Sequence, residues 1–322
     1  MEVIHVPDRL ASQKFYAVAG RLLFVESFNH RLDGPVARLF GGWQLTPVSS
    51  AERKSDIRIR FFCGDARPQI PKALNQFEIA DGGRCYTLGD DYYVSLGNLL
   101  IHLQDGSPVR VDLWLAESPD PLDPVFPRAT SFAVCAALRR FGLFELHSAG
   151  VVHPDNDKGL LIVGPSGSGK STLALRLAMA GWPYLSDDEL LLSSVDSAVE
   201  ARGFRSFFAV KEPASGDLRT CFEPEVVLEA GRKTTAAPGA LLFISLNGEE
   251  RSELNELTQA EAMARLLRAC PWATYDSTVA GAYLEVLSRL ARQTRAFDLF
   301  ACRDLLAPGY ASEFLSHSIG FN

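Results

Sequence analysis

From residue 12 to about 116 the apolar positions fall on a two-residue period. Ile57-Arg58-Ile59-Arg60-Phe61 alternates apolar with basic, which predicts a strand with one face buried. Further runs follow: Phe77-Glu78-Ile79-Ala80, Cys85-Tyr86-Thr87-Leu88, Tyr92-Tyr93-Val94-Ser95-Leu96, Leu99 to Leu103, and Val109 to Leu115. Asp81-Gly82-Gly83, Gly89-Asp90-Asp91 and Gln104-Asp105-Gly106 separate several of them as turn signals. Short strands at this spacing predict an antiparallel meander. No repeat is strict enough for a propeller or a solenoid.

The pattern changes after Ser118-Pro119-Asp120-Pro121-Leu122-Asp123-Pro124-Val125-Phe126-Pro127, which suits neither helix nor strand. We place a domain boundary there, giving a β-rich domain at 1–126 for substrate or partner recognition and a second domain at 127–322. A helix is expected over 128–142. Glu145 to Val152 reads as one strand and Gly159 to Val163 as a buried one. Thr172 to Ala180 consists of strong helix formers that Gly181 and Pro183 stop. Leu241 to Leu246 is a further strand, and Thr258 with Glu261 forms a capping box ahead of a helix at 259–269. A helix over 278–293 and a last strand over 297–301 complete an α/β layer.

Between the buried strand and its helix lies Gly164-Pro165-Ser166-Gly167-Ser168-Gly169-Lys170-Ser171, a full G-x-x-x-x-G-K-[ST] pattern. Strand, glycine-rich turn and helix is the context that gives this pattern its chemistry. Gly164, Gly167 and Gly169 let the backbone aim successive N–H groups at phosphate oxygens, with the helix dipole behind them. Lys170 would neutralise the β and γ phosphates and the Ser171 hydroxyl would ligate Mg²⁺, with Thr172 next in line. The pattern implies a nucleoside triphosphate ligand, with ATP and Mg²⁺ as the cofactors.

One helix later comes Leu185-Ser186-Asp187-Asp188-Glu189. A helix and a short return strand carry Asp187 and Asp188 to the carboxyl end of the strand beside the loop, the edge where α/β sheets bind ligands. Phosphoryl transfer uses carboxylates there to hold Mg²⁺ and to accept the proton of an attacking hydroxyl. His147, in the preceding strand, reads either as a hydrogen-bonded core residue or as a catalyst. His153 reads as loop surface. Arg202 and Lys211 read either as stabilisers of a migrating phosphoryl group or as surface cations.

The chain has 322 residues, 47% of them hydrophobic, enough for two cores. A net charge of −7 argues against a nucleic-acid partner. No run reaches the roughly 18 apolar residues of a membrane span. Met1 to His5 shows neither a basic nor an apolar signal region. Six scattered cysteines without a C-x-x-C pair fit reduced thiols, and the expected location is cytoplasmic, with no membrane partner.

Together, Leu146-His147-Ser148-Ala149-Gly150, Gly164 to Ser171 and Leu185 to Glu189 resemble the kinase domain of the HPr kinase/phosphorylase family, most closely its divergent relatives. The resemblance spans roughly 140–305. It implies an α/β P-loop kinase domain with a core like that of phosphoenolpyruvate carboxykinase, preceded by the β-rich domain. It also implies Asp187 as general base and Asp188 as a Mg²⁺ ligand, while Lys170, His147, Arg202 and Lys211 are candidate catalytic residues on the residue-by-residue grounds given above. HPr kinases carry a glutamate after the loop serine, where this chain has Thr172. The expected activity is therefore transfer of the ATP γ-phosphate to a serine or threonine of a peptide or protein. A tailoring kinase of the lasso-peptide precursor type is favoured over one acting on HPr. A kinase of a small hydroxylated metabolite and a non-catalytic nucleotide sensor are the alternatives, and homo-oligomerisation stays open.

Overall fold

The computed structural model describes residues 10–49, 54–64, 67–72, 75–79, 82–119, 124–211, 219–222, 231–246 and 251–320, without the side chains of 209–211 and 219–222. The turn residues at 80–81, the middle of the proline-rich stretch at 120–123 and the Met1–His5 start lie outside this set. The chain forms two units, Met1–Phe141 and Gly142–Asn322.

In the first unit, nine strands form one sheet. They are β1 (Ser12–Val18), β2 (Arg21–Ser27), β3 (Thr46–Val48), β4 (Ile57–Cys63), β5 (Asn75–Ile79), β6 (Gly83–Leu88), β7 (Asp91–Leu96), β8 (Leu99–Gln104) and β9 (Val109–Leu115). Their order is β3-β1-β2-β4-β9-β8-β7-β6-β5. β5 to β9 form the antiparallel meander, whereas β2, β4 and β9 run parallel. Ile57, Ile59 and Phe61 are fully buried. Phe61 packs edge-on against Phe40 of α1 (His30–Gly41) and Phe126 of α2 (Val125–Arg139). Arg58 and Arg60 point to the other face, where they clasp Glu26 and Asp112 with bidentate hydrogen bonds.

The helix expected at 128–142 is α2, and it begins inside the proline-rich stretch. Its buried face covers β4, β8 and β9, so it belongs to the first unit. The division consequently falls at 141/142 instead of 126/127. A helix goes with the sheet that buries its apolar side, whatever the composition of the linker before it.

The second unit is a three-layer α/β arrangement. Its strands are β10 (Phe144–Leu146), β11 (Ser148–Val152), β12 (Lys158–Val163), β13 (Tyr184–Ser186), β14 (Leu190–Val195), β15 (Ala198–Gly203), β16 (Phe208–Lys211), β17 (Arg219–Phe222), β18 (Thr235–Leu246), β19 (Glu253–Leu257) and β20 (Arg295–Ala301). The main sheet runs β10-β14-β15-β18-β12-β11-β13, with β20 on β18 and β19 on β20. β12, β18 and β20 are parallel and central.

Side-chain alternation on these central strands sorts the two cores. Leu160, Ile162, Leu242, Ile244 and Leu299 face α3 (Lys170–Met179). A 3₁₀ turn at Arg303–Leu306 and α7 (Tyr310–Ile319) belong to the same layer. Leu161, Val163, Leu241 and Phe243 face the opposite layer. That layer holds α4 (Gln259–Ala269), α5 (Trp272–Tyr275) and α6 (Ala280–Gln293). The Thr258–Glu261 capping box is present at the start of α4. Among the described residues no helix is long and apolar enough to cross a membrane.

Candidate functional site

The carboxyl ends of β12, β18 and β20 lie along one edge of the sheet. β11 runs antiparallel to β12, with Ser148 level with Val163, so the residue before it, His147, comes to that edge too. β13 is antiparallel to β11 and thus parallel to β12, with Ser186 level with Gly150. Asp187 and Asp188 therefore emerge at the same edge. β11 separates β13 from β12, so the acids reach the loop from two strands away.

The expected single strand over 145–152 is two strands. β10 pairs with β14 (Leu146 with Leu190), and β11 pairs with β12 and β13, so the chain changes partners at His147. The facing chain breaks at the same level, between β13 and β14. Each break leaves its residues outside the ladder, and the two gaps face each other. His147 is left with 46% of its side-chain surface exposed instead of joining the core.

The loop from 164 to 169 is shaped by its glycines. A Cβ on Gly164 would stand 2.6 Å from Ser168 Oγ and 2.7 Å from the Ile244 carbonyl, so only glycine fits beside β18. Gly169 takes φ +96 as the residue before α3 and offers no capping side chain, which leaves the first N–H groups of the helix without a side-chain acceptor. Pro165, Ser166 and Gly167 form the exposed tip. Ser168 is buried, and its Oγ has no hydrogen-bond partner among the described residues. Ser171 and Thr172 are half-buried in the first turn of α3.

Lys170 is 5% exposed. Its ammonium folds back over the loop and donates to the carbonyls of Gly164 (2.8 Å) and Pro165 (3.1 Å). It also stands 3.1 Å from His147 Nε2, and His147 Nδ1 is 3.5 Å from Asp188 Oδ1. Loop, lysine, histidine and aspartate thus form one continuous cluster. The imidazole is held below its ordinary pKa. Desolvation at the sheet edge is the largest cause and Lys170 adds to it, while Asp188 and Glu189 pull the other way.

The acidic turn is built tightly. Glu189 N–H donates to the Asp187 carbonyl at 2.8 Å across Asp188, whose φ is +66. That is a γ-turn with a left-handed centre, a strained geometry that aspartate tolerates better than most residues. Ser186 holds it: its Oγ donates to the Glu189 carbonyl (2.6 Å) and accepts from the N–H groups of Phe204 (3.1 Å) and Arg205 (2.8 Å). Arg205 pairs with Glu189 at 3.2 Å. Asp187 is 1% exposed, whereas Asp188 faces His147. Burial, then the Asp187 charge, pushes the nearby Tyr184 phenol well above its ordinary pKa.

The remaining candidates lie elsewhere. Arg202, the penultimate residue of β15, pairs with Glu200 at 3.4 Å and lines neither cavity described below. Lys211 ends β16, and its side chain is outside the described set. His153, expected on the surface, is buried edge-on against Trp182 with ring centroids 4.8 Å apart. The indole gives the ring an apolar wall that the local sequence does not reveal.

Two cavities flank the loop on opposite faces of the sheet, and Ile244 borders both. On the α3 face a cavity of about 370 Å³ opens beside Gly167, Gly169 and Thr172, with Leu246, Ala301 and Leu305 among its walls. On the α4 face one of about 550 Å³ is bordered by Gly164, Pro165 and His147, with Arg265, Arg268 and Asp298 opposite. Arg265 pairs with Asp298 and lies 5.7 Å over the Phe243 ring. Burial raises the Asp298 pKa although Arg265 opposes it. The sequence reading missed Ser186, because a serine inside a short strand carries no signal. It also missed Arg265 and Arg268, which read as the polar face of an amphipathic helix.

Ser171 and Asp188 offer hard oxygen donors of the kind Mg²⁺ takes. No cluster of three or more His, Cys, Asp or Glu that could hold a metal occurs among the described residues. A cation here would therefore complete its shell with ligand oxygens and water.

No family model matches the chain, and no curated protein does. Among solved structures, the Hpr(Ser) kinase/phosphatase from Coxiella burnetii matches 55% of this chain and 97% of its own. The identity is 13% and the TM-score 0.33.

Proposed function

We propose that this protein is an ATP- and Mg²⁺-dependent phosphotransferase whose acceptor is a hydroxyl, in our reading a serine or threonine of a peptide or protein. The observation that carries the reading is the continuous cluster at one sheet edge: loop carbonyls, Lys170, His147 and Asp188, beside an uncapped helix start. The loop N–H groups and the start of α3 cradle the phosphates. Lys170 exchanges its loop carbonyls for β and γ phosphate oxygens. The nucleoside lies in the apolar cavity beside Gly169 and Thr172, which leaves the γ-phosphate at the Gly164 end, near His147.

Asp187 takes the proton of the acceptor hydroxyl as its oxygen bonds to the γ-phosphorus and the bond to the bridging oxygen breaks, releasing ADP. Ser171 and Asp188 would hold Mg²⁺, which when bound neutralises phosphate charge. His147 fixes the positions of Lys170 and Asp188.

The test is transfer from γ-labelled ATP to serine-containing peptides and to small hydroxylated compounds. Lys170→Ala should lower transfer by about 10²- to 10³-fold, as removal of one charge-stabilising donor does, with an unchanged circular dichroism spectrum. Asp187→Asn should still bind nucleotide but turn over roughly 10²- to 10⁴-fold more slowly. Wild-type turnover in Lys170→Ala overturns the reading, and wild-type turnover in Asp187→Asn removes the base. ATP binding without transfer to any acceptor makes the unit a nucleotide sensor.

A further inference from the structure

The reading above leaves the 550 Å³ cavity on the α4 face without an occupant. Its position is set by alternation along two strands. Phe243 and Ser245 of β18, with Asp298 and Phe300 of β20, show their side chains on the face away from α3. Ile244 and Leu246 show theirs on the nucleoside side. The loop runs between the two cavities, its Gly164 end at this one and its Gly169 end at the other. A triphosphate laid along the loop with its base beside Gly169 points its transferable end into the α4-side cavity.

The charges of that cavity are specific. Arg265 and Arg268 are three residues apart on α4 and so share a helix face. Asp298 pairs with Arg265 and holds it over the Phe243 ring. Arg268 is exposed and has no ion-pair partner among the described residues. The wall opposite the loop therefore carries two guanidinium groups against one carboxylate, in a chain whose net charge is −7. A guanidinium presents a planar fork of donors that matches a carboxylate or a phosphate. The floor beside it is aromatic.

We infer that the α4-side cavity is the acceptor site, and that it selects a hydroxyl compound bearing an oxyanion, which Arg268 grips while Arg265 is steadied by Asp298. The inference rests on the phosphotransfer reading for the identity of the second substrate. A neutral acceptor forgoes the charge-assisted hydrogen bonds that an oxyanion makes with Arg268. The volume suits a group the size of one or two amino-acid residues or a small metabolite.

The experiment compares charged and neutral acceptors as pairs. A serine-ended tripeptide with a free carboxylate is set against its amide, and glycerate and glycerol 3-phosphate are set against glycerol. In the wild type, the charged members should have kcat/KM roughly 10- to 100-fold higher, the effect expected of one charge-assisted hydrogen-bond pair. The pair that shows the preference identifies a peptide or a small-molecule source. Arg268→Gln should abolish most of it through KM, and Arg268→Lys should restore part. If the wild type transfers equally to charged and neutral members, the inference falls and the phosphotransfer reading stands. If no acceptor is labelled, the phosphotransfer reading falls, and titration of the tripeptide acid and glycerate with a non-hydrolysable ATP analogue present decides the inference. Binding weakened by Arg268→Gln then upholds an oxyanion site, and absent binding overturns it.

Discussion

Lys170 Nζ stands 3.1 Å from His147 Nε2. An ammonium has protons to donate and no lone pair, so Nε2 must be the acceptor. The neutral ring then carries its proton on Nδ1, the nitrogen that faces Asp188 at 3.5 Å. The same contact accounts for part of the depressed basicity of the ring: a second proton would set two cations side by side.

His147 should accordingly titrate below its ordinary value of 6.5. Followed by NMR, its midpoint should rise in Lys170→Met, which removes the repelling cation, and fall further in Asp188→Asn, which removes the attracting carboxylate. The sign carries over to stability. The unfolded chain binds the proton more readily, so the wild type should lose stability relative to His147→Gln as pH falls through and below about 6.5. A wild-type midpoint above 6.5 contradicts this picture.

Ser186→Ala removes one hydroxyl that serves three hydrogen bonds in a fully buried place. It leaves the Phe204 and Arg205 N–H groups without that acceptor, at a cost of about 1–3 kcal/mol. Urea unfolding should show the loss, and activity should fall with it as the turn at Asp188 relaxes from φ +66. Stability and activity equal to wild type would mean that something other than Ser186 sets the turn.

Gly164→Ala and Gly167→Ala should separate two kinds of glycine. At 164 a methyl group meets the Ile244 carbonyl at 2.7 Å, so loop and β18 must part, at about 1–3 kcal/mol. At 167 there is open space but φ is +82, so the cost is backbone strain alone, about 1–2 kcal/mol. Thermal unfolding measures both. Nucleotide affinity should fall further at 164, where the loop leaves the sheet. Equal affinities would argue that the loop is not seated by β18.

Much of this architecture is written in short-range pattern. The period-two runs from 77 to 115, the Gly164–Ser171 motif between strand and helix, and the Thr258–Glu261 cap each depend on neighbours within a few residues. Strand and helix formation respond to those same neighbours. α2 is a different case. Its helical character was visible, but which sheet buries its apolar side is a question about residues far along the chain.

The site divides along the same line. Sequence alone names the candidate residues: a glycine loop with Lys170 and Ser171, two aspartates one helix later, and a histidine before them. It could not supply the break at His147, because no proline marks a stop between residues 144 and 152, and the one glycine there, Gly150, lies inside β11 and not at the break. Nor could it supply the matching break at 187–189, or the arginine-lined cavity over Asp298. These follow from strand partnership and sheet-face alternation among segments up to about a hundred and fifty residues apart, and only the folded chain fixes which edges and faces meet.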